Sequence, residues 1–369
     1  MPTAPTPAAA TTPATAPAPQ PLATDPQRTR AALVGCGGIS KAWLDALVTF
    51  DDVEIVALVD LALPAAEARR SDYPQLQNAA VGTDLAAVIE EHRPDLVFDC
   101  TVPAAHDAVA ATALGAGCDL LAEKPMASSV AAAVKLRDLA TEKGRVYAVI
   151  QNRRFFPGMR RFCAVARDGT LGRLTELHAD FAIGAHFGGF RDTMDHPLII
   201  DMAIHHFDAA RAITGEDPVA VYAHGFNPHG SWYEGDPAAY VIFEFTNGVR
   251  FNYRGSWCAE GLNTSWNARW KATGTKGSAG WDGETALMGQ VLKDPENGEG
   301  FTRDLVDLDL TDLPAMPRVE HAAMIRHYLD ARAAGEPPET AAADNIKTLA
   351  MVYAAVESSE SGRRVEIAV

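Results

Sequence analysis

Asp201 and His205 stand four residues apart in a run that is otherwise almost wholly apolar, Leu198-Ile199-Ile200-Asp201-Met202-Ala203-Ile204-His205-His206-Phe207. On a helix that spacing puts the carboxylate and the imidazole on one face. Polar groups on so apolar a segment need a reason. An imidazole titrates near neutrality and suits general acid–base chemistry. Two other readings fit the spacing. One is a buried Asp–His hydrogen bond without chemistry. The other is a metal site, which needs a further ligand such as His186, Asp195 or His196.

Lys124 is the next candidate. It lies in Glu123-Lys124-Pro125, at the end of the apolar run 119–122. Proline biases the residue before it toward extended backbone. An ammonium held there can donate hydrogen bonds to a substrate hydroxyl. Arg153 and Arg154, in Gln151-Asn152-Arg153-Arg154-Phe155, could hold substrate hydroxyls or a carboxylate, or pair with acids where two domains meet. His186 and His206 are further candidate substrate contacts. Trp257, Trp266 and Trp270 lie in β-prone runs and read as sheet packing.

These residues need elements to carry them, and the clearest begins at residue 31. An apolar run, 31–34, leads into the glycine turn Gly35-Cys36-Gly37-Gly38-Ile39-Ser40. Apolar residues then recur at Ile39, Ala42, Trp43, Ala46, Leu47 and Phe50, which is helical spacing. A second apolar run, 53–59, ends in Asp60. Strand, glycine turn, helix, strand and acid, in that order, form a dinucleotide site. Gly35 permits the sharp turn. Gly37 and Gly38 let backbone amides approach a pyrophosphate at the positive end of the helix dipole. Ser40 takes the third glycine position. Asp60 can accept hydrogen bonds from the adenosine ribose hydroxyls. Leu61 follows it with no arginine alongside, so a 2′-phosphate would meet repulsion, and NAD is expected over NADP.

Further strands are expected at 95–100, 119–122 and 146–150, with helices at 84–91, 104–116 and 129–143. Alternation of this kind implies a parallel, doubly wound α/β sheet over residues 29–150. Ligands bind such sheets at the carboxyl ends of the strands, where Gly35, Asp60, Thr101 and Glu123 all fall. After residue 150 the pattern changes. Helices are expected at 157–167 and 198–213, and β-prone runs at 174–183, 219–226, 238–246, 249–257 and 266–273. Asn247-Gly248 separates two of these runs as a hairpin turn. A mostly antiparallel sheet in a second, α+β domain over 151–369 follows, closed by helices at 319–333 and 343–357 that return toward the first domain.

Composition narrows the rest. A chain of 369 residues is too long for one core. Residues 1–28 are almost entirely Ala, Pro and Thr and are expected to form a disordered tail. The formal net charge of −16 disfavours nucleic acid and anionic membranes as partners. Five cysteines without a CxxC pair read as free thiols in a reducing compartment, the cytoplasm, and not as a zinc site. No apolar run approaches the length of a membrane span.

Together the glycine turn at 35–40, Asp60, Thr101-Val102-Pro103 with His106, Glu123-Lys124-Pro125 and Asp201 to His205 resemble the glucose–fructose oxidoreductase / inositol 2-dehydrogenase / rhizopine-catabolism (Gfo/Idh/MocA) family. Asp344-Asn345 and Gly362-Arg363-Arg364-Val365 add to the likeness. The resemblance implies a Rossmann domain followed by an open-faced sheet domain, which often dimerises or tetramerises through that sheet. It implies that Lys124, Asp201 and His205 are catalytic. It also places Thr101, Pro103, His106, Glu123 and Lys124 with the glycine turn and Asp60 around the cofactor. The implied activity is NAD-dependent oxidation of a secondary alcohol of a sugar, inositol or related polyol. His205 would be the base, Lys124 would stabilise the alkoxide, and Asp201 would orient the imidazole or tune its charge. Redox-neutral glycoside cleavage, which yields no net NADH, and a non-catalytic sugar sensor are the rival functions.

Overall fold

A computed structural model describes residues 28–296 and 301–369, so all but the last residue of the expected tail lies outside the described residues. The first sheet is built from β1 (Thr29–Val34), β2 (Val53–Val59), β3 (Ala80–Gly82), β4 (Leu96–Asp99), β5 (Asp119–Ala122) and β6 (Tyr147–Val149). Its spatial order is β3-β2-β1-β4-β5-β6, and every pair is parallel. The crossovers carry α1 (Ser40–Leu47), α2 (Leu63–Ser71), α3 (Leu85–His92), α4 (His106–Gly115) and α5 (Val130–Lys143). Strands buried on both faces must be apolar throughout, and Leu96, Val97 and Phe98 of β4 are fully buried. Local capping fixes the helix ends. Asp84 accepts from the amides of Ala86 and Ala87, Ser129 accepts from Ala132, and Gly144 ends α5 in the left-handed region.

After α6 (Pro157–Arg167) the second sheet is formed by β7 (Leu174–Ala182), β8 (Pro218–Phe226), β9 (Ala238–Phe245), β10 (Arg250–Ser256), β11 (Arg269–Gly274), β12 (Gly277–Trp281), β13 (Leu287–Leu292), β14 (Leu305–Asp307) and β15 (Val365–Glu366). The spatial order is β14-β13-β12-β11-β7-β10-β9-β8-β15. All neighbours are antiparallel except β7 and β10. The β9–β10 hairpin turns at Asn247 (φ 61°) and Gly248 (φ 81°). One face of this sheet buries Phe181, Phe243, Phe251, Tyr253, Trp270 and Trp281 against α6 and α7 (Ala203–Thr214). The opposite face leaves Tyr222, Tyr240, Ile242 and Met288 exposed.

Two late helices tie the sheets together. In α8 (Glu320–Ala334), Met324, Ile325 and Tyr328 join Trp43, Leu44 and Phe50 of the first sheet's core. In α9 (Ala342–Ser361), Ile346 and Leu349 pack on the other face of the first sheet, with Val34 and Val97, and Met351, Val352 and Ala355 pack on the second sheet. The expected helix 198–213 is interrupted. Leu198–Met202 is a π-helical turn, and regular α-helix begins at Ala203. Asp201 and His205 therefore lie on either side of the change in pitch. Among the described residues no helix is long and apolar enough to cross a membrane.

Candidate active site

The glycine turn joins β1 to α1. Gly35 has φ +88°, and a Cβ there would lie 2.6 Å from the backbone of Cys100 and Thr101. Only glycine fits at that crossing of β1 and β4. At Gly37 and Gly38 a Cβ would meet nothing within 4 Å, so this part of the turn faces open space. Ser40 Oγ donates to the Gly37 carbonyl at 2.6 Å, and Arg69 Nη2 donates to the same oxygen at 3.0 Å. A trans peptide points its N–H opposite its C=O, so holding that carbonyl inward turns the Gly38 amide outward. Asp60 closes β2. Its two oxygens accept from the amides of Cys36 (2.8 Å) and Ala62 (2.9 Å). A carboxylate has acceptor capacity beyond two bonds, so ribose hydroxyls can still be held. An open amide cradle with a carboxylate beside it fits a dinucleotide. Arg69 stands near Asp60 but is engaged by the turn and by Asp72 at 2.9 Å.

Lys124 leaves the end of β5 and reaches across to the second half of the chain. Its Nζ donates to Asp201 Oδ1 at 2.5 Å and to the Asp201 carbonyl at 2.8 Å. Asp201 Oδ2 accepts from Arg191 Nε at 2.6 Å. Burial alone would raise the Asp201 carboxyl, but the two cations overcome this and hold it below the usual carboxylate range. Both of its oxygens are thus committed to Lys124 and Arg191. Of the two roles expected for Asp201, orienting the His205 ring or tuning its charge, the geometry gives no hydrogen bond for the first: the carboxylate faces Lys124 and Arg191.

His205 is half-buried. Its Nδ1 is buried without a hydrogen-bond partner. Crowding by protein, then the charges of Lys124 and Arg153, push its pKa well below the ordinary imidazole value. It is a neutral ring beside two cations.

Several other candidates sit differently from expectation. The His106 ring is taken up by the backbone. Its ring nitrogens lie 2.7 Å from the Pro125 carbonyl and 3.2 Å from the Thr101 carbonyl, and the residue is buried. It braces the backbone that carries Lys124 and Thr101. Glu123 is also turned inward, accepting from Trp43 Nε1 at 2.8 Å with His321 Nε2 at 3.8 Å. Arg154 is buried in ion pairs with Asp208 (2.6 Å) and Asp344 (3.4 Å), so it clamps the junction and is not a substrate contact. His206 faces the sheet, meeting the Tyr253 hydroxyl at 3.1 Å and the Trp266 carbonyl at 3.2 Å. Arg153 donates to Asn267 Oδ1 at 3.1 Å and its charge reaches His205. Pro103 and Thr101 lie on the turn after β4, where Thr101 donates to Asp99. His186 stacks on Trp232 at 3.6 Å and pairs with Glu260, whereas His196 lies between Asp236 and Glu360. Among the described residues no group of three such side chains converges as a metal site.

Residues 29–151 match the family described as "Oxidoreductase family, NAD-binding Rossmann fold", and residues 159–280 match the "GFO/IDH/MocA C-terminal domain". The chain belongs to the Gfo/Idh/MocA oxidoreductase family. Among its relatives, D-glucoside 3-dehydrogenase of Escherichia coli is 29% identical, over 92% of this chain and 97% of that protein. D-apiose dehydrogenase of Paraburkholderia graminis is 25% identical, over 92% and 90%. The crystal structure of an Agrobacterium radiobacter oxidoreductase in complex with NAD+, L-tartaric acid and magnesium shares the fold. Its TM-score is 0.80 at 21% identity, over 92% of this chain and 98% of that one.

On this Gfo/Idh/MocA scaffold the structure adds residues that the sequence did not mark. Arg191 holds Asp201. Its signal was an arginine in a Gly-Gly-Phe-Arg loop shortly before an apolar helix with an unpaired acid. Trp43 and His321 flank Glu123 from α1 and α8, with ring centroids 6.4 Å apart. His321 lies nearly two hundred residues beyond Glu123, with no local pattern to announce it. Arg69 is a further addition, joining the expected Ser40 at the Gly37 carbonyl. Trp266, expected in a strand, lies before β11 and is 39% exposed.

Proposed function

We propose that this chain catalyses NAD-dependent oxidation of a secondary alcohol of a sugar, inositol or related polyol, and the reverse reduction of the ketone. The observation that carries the reading is the Lys124 ammonium, fixed by two bonds to Asp201 beside the neutral His205 and next to the strand ends that carry the glycine turn and Asp60. The likeness of the chain to D-glucoside 3-dehydrogenase and D-apiose dehydrogenase supports a substrate of this class.

NAD, when bound, would supply the acceptor for the hydride of the carbinol carbon. Gly37, Gly38 and Asp60 would hold it, with Ile39, Thr101 and Pro103 along the same rim. His205 Nε2, the ring nitrogen left once Nδ1 is enclosed, takes the hydroxyl proton as general base. An ammonium has three N–H donors. Two of those on Lys124 are held by Asp201, and the third is directed to the substrate oxygen, where negative charge grows as the proton leaves. Asp201 is a positioning residue that acts through Lys124. Arg153, near His205, holds a substrate hydroxyl. Five free cysteines support residence in a reducing cytoplasm.

The test is to mix the protein with NAD and a panel of sugars, cyclitols and glycosides and follow NADH absorbance. Release of a cleaved glycoside without net NADH would replace the dehydrogenase reading with redox-neutral hydrolysis. Calorimetric titration should show NAD binding more tightly than NADP, and Asp60→Ala should narrow the gap by removing the repulsive carboxylate. Tighter NADP binding by the native chain would overturn the cofactor preference.

A further inference from the structure

Beside Asp201 the surface is aromatic. Phe187, Phe190 and Trp266 are 47%, 51% and 39% exposed, although each is large and apolar. Two separate tethers hold these rings at the reaction site. The Arg191 guanidinium, whose Nε donates to Asp201, lies 5.0 Å from the Phe187 ring centroid and 4.7 Å from that of Phe190. On the other side, the Trp266 carbonyl meets His206, the neighbour of His205, and the following residue, Asn267, accepts from Arg153. Phe187 and Trp266 close the arc with ring centroids 6.0 Å apart. Phe187 is backed by Trp257 at 5.1 Å, edge to face, and Trp257 is fully buried. Exposed aromatic rings clustered on a packed support mark a binding surface.

Resting on the proposal that a sugar carbinol is oxidised here, we infer that Phe187, Phe190 and Trp266 form a subsite for a second ring on the substrate, which makes the substrate a glycoside and not a free monosaccharide or cyclitol. Lys124, His205 and Arg153 supply donors and charge for the sugar that reacts. The aromatic rim supplies almost none. Flat aromatic faces suit another apolar face, either an aryl aglycone or the C–H face of a second sugar. Arg191 joins the two halves: its Nε faces the Asp201 carboxylate while its guanidinium is covered by the two phenylalanines.

The test is a binding ratio, which can be read whether or not the sugar is oxidised. In the presence of NADH, which cannot accept hydride from the alcohol, Kd is measured by calorimetry for matched methyl and phenyl β-D-glucosides, galactosides and xylosides, with cellobiose as a further arm. At least one phenyl glycoside should bind roughly tenfold more tightly than its methyl partner, and Phe190→Ala and Phe187→Leu should each abolish most of that ratio. A cellobiose advantage that is lost in the same variants assigns the second ring to a sugar. Equal Kd values within every pair, or a ratio that survives in both variants, overturns the subsite. So does a Phe190→Ala protein that changes oligomeric state and leaves the ratio intact. Absence of turnover with the ratio intact and variant-sensitive leaves the subsite standing and removes the dehydrogenase reading.

Discussion

Lys124 and His205 divide one proton transfer between them, and their separate roles can be read in variants. His205→Asn should keep the fold and the affinity for NAD while lowering kcat on the order of 10²–10⁴-fold. Lys124→Met should also lower kcat and spare NAD binding, since the lysine acts on the substrate oxygen. Because both serve one step, the double variant should lose less than the sum of the two effects in free energy. Steady-state kinetics with calorimetry checks this, and full turnover in His205→Asn with only a lowered Tm would refute the assignment. His206, one residue on, behaves differently. Burial pulls its pKa down to about 3, and His205 is also driven below the ordinary value, first by burial. Both rings are neutral in the folded chain and take up a proton in the unfolded chain below about pH 6.5. The unfolded state then binds more protons, so this stability is complete above about pH 6.5 and is lost as pH falls from there toward 3. Each ring contributes a slope of up to about 1.4 kcal/mol per pH unit. Urea unfolding between pH 7.5 and 5 should show the decline, and His206→Gln should flatten it. Parallel pH profiles for the two proteins would rule out this origin.

At the scale of elements, the glycine turn is held by what surrounds it as much as by its glycines. Ser40 opens α1 and reaches back to the Gly37 carbonyl, and Arg69 comes from α2 to the same atom. A hydrogen bond is worth about 1 kcal/mol, so Ser40→Ala should weaken NAD binding by roughly fivefold. Unchanged calorimetric affinity would show that Arg69 alone fixes the peptide. The β1-α1-β2 unit was legible because its strands are continuous apolar runs and its turn is glycine-rich. The expected helix 129–143 matches α5 closely because local capping, Ser129 at its start and Gly144 after its end, sets its bounds. Strand β3, helix α2 and strands β12–β14 were not. They are short or carry little apolar periodicity, and partner strands supply their order. The single helix expected over 198–213 failed because apolar spacing does not distinguish α from π pitch. That difference redirects Asp201 from His205 to Lys124. Trp43 and His321 reach Glu123 from elements distant in sequence, so no spacing rule could have placed them, whereas Arg191 lies only ten residues before Asp201.

At the scale of the molecule, the open face of the second sheet presents Tyr222, Tyr240, Ile242 and Met288 to solvent. These apolar side chains are interspersed with His178, Asp180, Arg254 and Lys271 on the same face; such a mixed face suits a second copy of the chain, and we expect a homodimer or homotetramer through it. Sedimentation equilibrium should show assembly, and Tyr240→Glu combined with Ile242→Lys should shift it toward monomer. An unchanged mass for that variant would move the interface elsewhere. The return of α8 and α9 onto the first sheet has a consequence in time. The Trp43–Phe50 face that α8 covers is made early in synthesis, whereas Met324, Ile325 and Tyr328 are made near the end. A chain emerging from the ribosome therefore completes its dinucleotide half last, although that half's strands are translated first. Until residue 328 is released, the part of the α1 surface that α8 covers stays open, although Trp43 already packs on Phe98 of β4, and a nascent chain that exposes apolar surface is prone to stick.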